Sequence, residues 1–120
     1  VVALAQVYQT RILFTGDIET EGETRMLERI RGAEIRDIDI LKIPHHGSKT
    51  SSTAGLLQLT HPKIAVISCG RHNKYHHPFL PMIKELGQRG ATVYRTDIDG
   101  TVEAEITKVG YTLKTYPHTR

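Results

Sequence analysis

The chain reads as one α/β domain on a mixed, mostly parallel sheet, with helices on one face and an antiparallel meander at its end. Three observations carry that reading. Short apolar runs of strand length alternate with segments of helical period, little linker separates them, and beyond about residue 95 the pattern changes to strict alternation. At 120 residues there is one core at most.

Residues 1–8 and 11–15 read as neighbouring strands turning about Gln9-Thr10. Ile12-Leu13-Phe14 is apolar on both faces, as expected of a covered central strand. A helix follows, with Thr20 and Glu23 at capping-box spacing, Met26, Leu27 and Ile30 on one face, and Gly32 as its stop. Residues 38–43 make the second core strand. Ser51 or Ser52 then caps a short helix carrying Leu56, Leu57 and Leu59. Residues 64–68 make the third strand, and a polar loop leads to a helix over 81–88 with Met82, Ile83 and Leu86 inward and Gly90 as its stop. Residues 91–95 make the fourth. Asp99-Gly100 is then a hairpin-turn signal, Val102, Ala104 and Ile106 alternate, and 111–116 pair back through Gly110.

Composition narrows the chemistry. An apolar share of 38% and a charged share of 24% describe an ordinary folded chain. No run of about eighteen apolar residues and no signal-like segment occurs in it. The net charge of +3 is scattered, which permits a polyanionic partner without demanding one. Cys69 is the single cysteine, so an internal disulfide and a cysteine-based zinc knuckle are both excluded. Metal chemistry would have to use His and Asp. Because the first residue is Val1 and already reads as strand, we expect residues 1–120 to be a single partial domain of a longer protein.

Strands joined through helices run parallel and end on one rim, where ligand sites of such sheets gather. The segments following the strands are Thr15-Gly16-Asp17, His45-His46-Gly47-Ser48, the loop from Gly70 to His77, and Thr96-Asp97-Ile98-Asp99. Taken singly, each has a plainer reading. Gly16-Asp17 suits a turn, His45-His46 a surface loop and Asp99 a hairpin, while His61 and His118 read as solvated and Cys69 as a small buried residue. Their convergence on one rim is what singles out Asp17, His46 and His77, a carboxylate and imidazole set suited to zinc, manganese or iron. Ser48, Thr50, Ser51 and Ser52, with Lys49, are more hydroxyls than one N-cap needs, and they stand where helix N–H groups favour an anion.

Four ordered blocks carry a further likeness: LFTGDIE with Glu23 downstream, DILKIPHHGSKTSS, PKIAVISCGRHNKYHHP and RTDIDG. Together they resemble the metallo-β-lactamase-like domain of ComEC-type DNA internalisation (competence) proteins. The resemblance implies that Asp17 is the aspartate bridging two divalent metals, zinc or manganese. It makes His46 the late histidine ligand, with His45 beside it as a supporting or alternative ligand, and His77 the histidine of the HP motif. His76 stands where a glycine is expected. Ser48, Lys49 and Asn73 would meet the phosphate, and Asp17 and His46 would be the catalytic pair.

The superfamily's HxHxDH ligand motif does not occur in these residues. The chain therefore looks like the second half of an αββα sandwich, with the N-terminal half as a missing partner. Two expectations follow: the sheet face that would meet that half should be apolar and accessible, inviting self-association, and metal affinity of this stretch alone should be weak. The implied activity is metal-dependent phosphodiester hydrolysis of incoming DNA, one strand being degraded while the other enters. The parent would sit in the bacterial cell membrane beside its transmembrane channel region, with this domain on the extracytoplasmic side. Alternatives are a non-catalytic DNA-binding or bracing module, and another hydrolase of the fold acting on small esters or phosphodiesters.

Overall fold

A computed structural model of the chain describes residues 2–30 and 35–118. Val1, at the expected start of the first strand, and Gly32, the expected stop of the first helix, lie outside the described residues. Five strands form one sheet in the order β1 (Ala3–Val7), β2 (Thr10–Phe14), β3 (Ile40–Lys42), β4 (Ile64–Ile67) and β5 (Thr92–Arg95). β1 is antiparallel to β2 and every other neighbour is parallel. The parallel pairs are bridged by α1 (Thr20–Ile30), α2 (Ala54–Thr60) and α3 (Leu80–Gln88), as right-handed crossovers require.

Register assigns the two faces. Leu13, Leu41, Ala65 and Val93 line up across the sheet and meet Met26 of α1, Leu56 and Leu57 of α2, and Met82 and Leu86 of α3 in one buried cluster. All three crossover helices thus cover the same face. On the other face, Ile12, Phe14, Ile40, Lys42 and Val66 meet Ala104 and Ile106 around an apolar cleft of about 270 Å³. Those last two residues belong to the antiparallel pair β6 (Thr101–Thr107) and β7 (Gly110–Tyr116). The face expected to be apolar and accessible carries none of the three crossover helices, but this hairpin lies against part of it and Lys42 stands within it, so it is only partly open.

Local expectations are corrected at two turns. The first turn is at Tyr8-Gln9, since Thr10 already pairs with Val7. Asp99-Gly100 does not turn a hairpin, because β5 and β6 lie in different sheets; the hairpin turns at Lys108-Val109, between the paired Thr107 and Gly110. Asp99 instead closes a one-turn helix, α4 (Thr96–Asp99), by accepting the Arg95 N–H at 2.8 Å. Gly100 is needed there for another reason, since its φ is +77° and a Cβ would stand 1.9 Å from the Tyr116 carbonyl oxygen.

The helix starts also differ. Thr53, rather than Ser51 or Ser52, caps α2 by accepting the Leu56 N–H. The Thr20 hydroxyl donates to the Thr50 carbonyl at 2.7 Å, and Glu23 does not serve its own helix. Its fully buried carboxylate accepts the N–H groups of Ser52 and Thr53 and the Thr53 hydroxyl. The donors expected to attract a phosphate at the start of α2 are thus held by a carboxylate of the protein itself. Gly90, by contrast, stops α3 as expected, with φ +87° and the Ala91 N–H returning to the Leu86 carbonyl at 3.0 Å.

Candidate metal centre

β3 delivers the chain to the rim in the sequence Pro44-His45-His46-Gly47, a tight turn in which three consecutive residues are left-handed: His45 at φ 50°, His46 at φ 56° and Gly47 at φ 78°. Two non-glycine residues in that region cost of order 1–3 kcal/mol each and persist only where surroundings impose them. Here the surroundings do. The His45 N–H donates to the Gly16 carbonyl at 2.9 Å, tying the turn to the end of β2, and the Phe79 N–H donates to the Gly47 carbonyl at 2.7 Å. Gly47 packs so closely on the loop after β4 that a Cβ would stand 2.6 Å from Pro78 Cβ.

The turn brings three imidazoles together. The rings of His45, His46 and His77 lie 5.8–6.1 Å apart, centroid to centroid. His46 Nδ1 is 2.8 Å from the Ser68 carbonyl oxygen. A carbonyl only accepts, so Nδ1 carries the proton, and in the neutral ring Nε2 is the nitrogen with the lone pair. Nε2 faces Asp17 Oδ1 at 3.6 Å. This backbone-anchored tautomer is the arrangement that prepares a histidine to ligate a metal. His45 Nδ1 lies 3.1 Å from Glu19 Oε1 but outside hydrogen-bond geometry, which leaves it a buried nitrogen without a hydrogen bond. Burial, and then the neighbouring His45 and His46, hold His77 below the ordinary imidazole range, favouring its neutral form.

Asn73 holds this third ring in place. Its amide donates to the Gly70 and His77 carbonyls at 3.0 and 2.8 Å, and its carbonyl accepts the His77 N–H at 2.8 Å. Ser48 is buried, with its hydroxyl 2.9 Å from that of Thr50, while Lys49 is exposed. Ser51 ties the loop back by donating to the Pro44 carbonyl at 3.0 Å. His72 and His76 are exposed on the loop that ends at His77.

The remaining rim groups are otherwise engaged. Arg95 holds Asp97 through two bonds, at 3.1 and 2.7 Å, and that pairing keeps the Asp97 carboxyl below its usual range. Burial first, and the Asp97 hydrogen bond next, push the Cys69 thiol up to about 11, so it is no nucleophile at neutral pH. Lys42 went unnoticed in the sequence although a charge inside an apolar strand was the signal for it. Its Nζ donates to the Ile43 carbonyl at 2.8 Å. Burial lowers its pKa, partly offset by Asp17 and Cys69.

Among the described residues, no group of three or more His, Cys, Asp or Glu side chains is gathered closely enough to hold a metal ion. What is present suits part of a divalent-metal site: one anchored imidazole with its lone pair directed at a carboxylate, and two further imidazoles beside it. The fold defines a class, and sequence comparison agrees with it. The profile described as "Metallo-beta-lactamase superfamily" matches residues 7–72, and the chain belongs to that superfamily. It is similar to ComE operon protein 3 of Bacillus subtilis, with 36% identity over 88% of this chain and 13% of that protein. It is similar also to Recombination protein 2 of Haemophilus influenzae, 34% identical over 84% of the chain and 12% of that protein. Competence protein ComA of Neisseria gonorrhoeae is 34% identical over 77% of the chain and 13% of its own length. The chain thus spans about an eighth of the length of these relatives, and the expected likeness to competence proteins holds over most of it. No described helix is long and apolar enough to cross a membrane.

Proposed function

We propose that this chain forms part of a divalent-metal phosphodiesterase centre in a competence protein, acting on incoming DNA. The observation that carries the reading is the His46 ring, proton-anchored on Ser68 with Nε2 facing Asp17 at 3.6 Å. In this reading Asp17 and His46 are the metal-holding pair, His77 is a neutral donor beside them, and His45 is a supporting ligand. Two zinc or manganese ions, when bound, would supply Lewis-acid activation of water near neutral pH and charge to offset the phosphate.

The protein's own groups have separate tasks. Lys49 supplies an exposed cation for the substrate phosphate, while Ser48, buried with its hydroxyl bonded to Thr50, shapes the same loop. Asn73, with its donors on backbone carbonyls, acts on the phosphate only through the loop that it shapes. The remaining ligands would come from the preceding half of the sandwich. We place the parent in the bacterial cell membrane, next to its transmembrane channel, with this domain on the extracytoplasmic side. Asp17→Asn in the complete parent domain should abolish manganese- or zinc-dependent cleavage of labelled DNA. Its side chain is 69% exposed, so folding should be unaffected, and a wild-type cleavage rate would remove the assignment.

A further inference from the structure

We infer that the cleft between residues 48–50 and 75–79 is a subsite for an unpaired nucleobase, so that nucleic acid engaged at the histidine cluster is single-stranded there. The inference rests on the phosphodiester reading above and adds the form of the substrate. The cleft, about 260 Å³, is lined by Lys49 from one loop and by Tyr75, His77 and Phe79 from another. His77 belongs to both places. Its ring is 5.8 and 6.1 Å from those of His45 and His46, and 5.7 Å from that of Tyr75 at an interplanar angle of 27°. The cleft therefore shares His77 with the candidate metal centre.

Its aromatic walls are presented to water. Tyr75 is 66% and Phe79 40% exposed, an arrangement that loses the hydrophobic gain of burial unless a flat apolar partner covers it. Two cations are near: Lys74 Nζ lies over the Tyr75 ring, 5.2 Å from its centroid, and Lys49 lines the cleft. Aromatic faces in a positively charged groove suit single strands, because every base offers a π-face and the backbone supplies phosphates. In a duplex both faces of a base are covered by its neighbours, so only an unpaired or extruded base can enter such a cleft. A peptide side chain could use the aromatic walls but would leave the lysines without phosphates.

The test uses the full chain with a fluorescein-labelled oligothymidylate and a labelled duplex of the same length, in EDTA at low salt, followed by fluorescence anisotropy. The single strand should bind more tightly than the duplex. Tyr75→Ala should weaken single-strand binding about ten-fold and duplex binding less than two-fold, with Tyr75→Phe restoring it and circular dichroism unchanged. Equal single-strand to duplex affinity ratios in wild type, Tyr75→Ala and Phe79→Ala would overturn the subsite and leave the phosphodiester reading standing. Binding of neither oligonucleotide would also overturn the subsite, while the phosphodiester reading stands or falls on Asp17→Asn in the complete parent domain.

Discussion

Glu23 is the residue whose role departs furthest from its neighbourhood in the chain. A carboxylate with no exposed surface is tolerable only when donors replace its water, and here they come from Ser52 and Thr53, 29 and 30 residues away. The same contacts hold the start of α2, and hence the loop behind the histidine turn, against α1. Glu23→Ala should leave two backbone donors unpaired and lower unfolding stability by about 2–4 kcal/mol. Glu23→Gln, which keeps an accepting oxygen, should cost roughly half as much. Urea denaturation checks both, and a wild-type midpoint for the alanine variant would contradict the bracing role. The spacing to Thr20 suggested a capping box because such motifs are local; nothing in the sequence marks a partner supplied by a different crossover.

Among the elements, the Pro44–Gly47 turn carries most of the candidate site. Its sequence was legible as a rim loop because it follows an apolar strand, yet the run of left-handed residues was not. That conformation is imposed by Gly16, Phe79 and Pro78, none of them adjacent in the chain. Gly47→Ala meets two obstacles together, a φ of +78° and a 2.6 Å approach to Pro78 Cβ. We expect it to cost about 1–3 kcal/mol and to release His46 from Ser68. Nitrogen-15 shifts of the imidazoles would report this as a change in the His46 tautomer ratio; an unchanged His46 spectrum would show that the turn tolerates a side chain.

Across the whole molecule, the two sheet faces are treated unequally. One is sealed by three helices, while the other shows Phe14 at 48% and Val7 at 41% exposure beside the β6–β7 hairpin. Exposed apolar side chains on an open sheet face favour association. The isolated chain is expected to self-associate as its concentration rises, and Phe14→Lys to shift it toward monomer without loss of helix content. Sedimentation velocity across a concentration series measures this, and a wild-type chain that stays monomeric throughout would count against the face as an interface.

The sequence contained the order of strands and helices, the parallel sheet, the shared rim and the rim position of Asp17 and the histidines. Periodicity reports which side of an element faces the core, and crossover handedness then leaves little choice of topology. Folding assigned the rest: Glu23 to a distant helix start, Asp97 to Arg95, the His46 proton to Ser68, and His77 to both the imidazole cluster and the aromatic cleft. Apart from Arg95–Asp97 and the Tyr75–His77 stack, those pairings depend on separations of a few ångströms between groups that lie 22 to 32 residues apart. Local pattern cannot carry that information, because a hydrogen bond or a ring contact is decided by where two loops end rather than by what either contains.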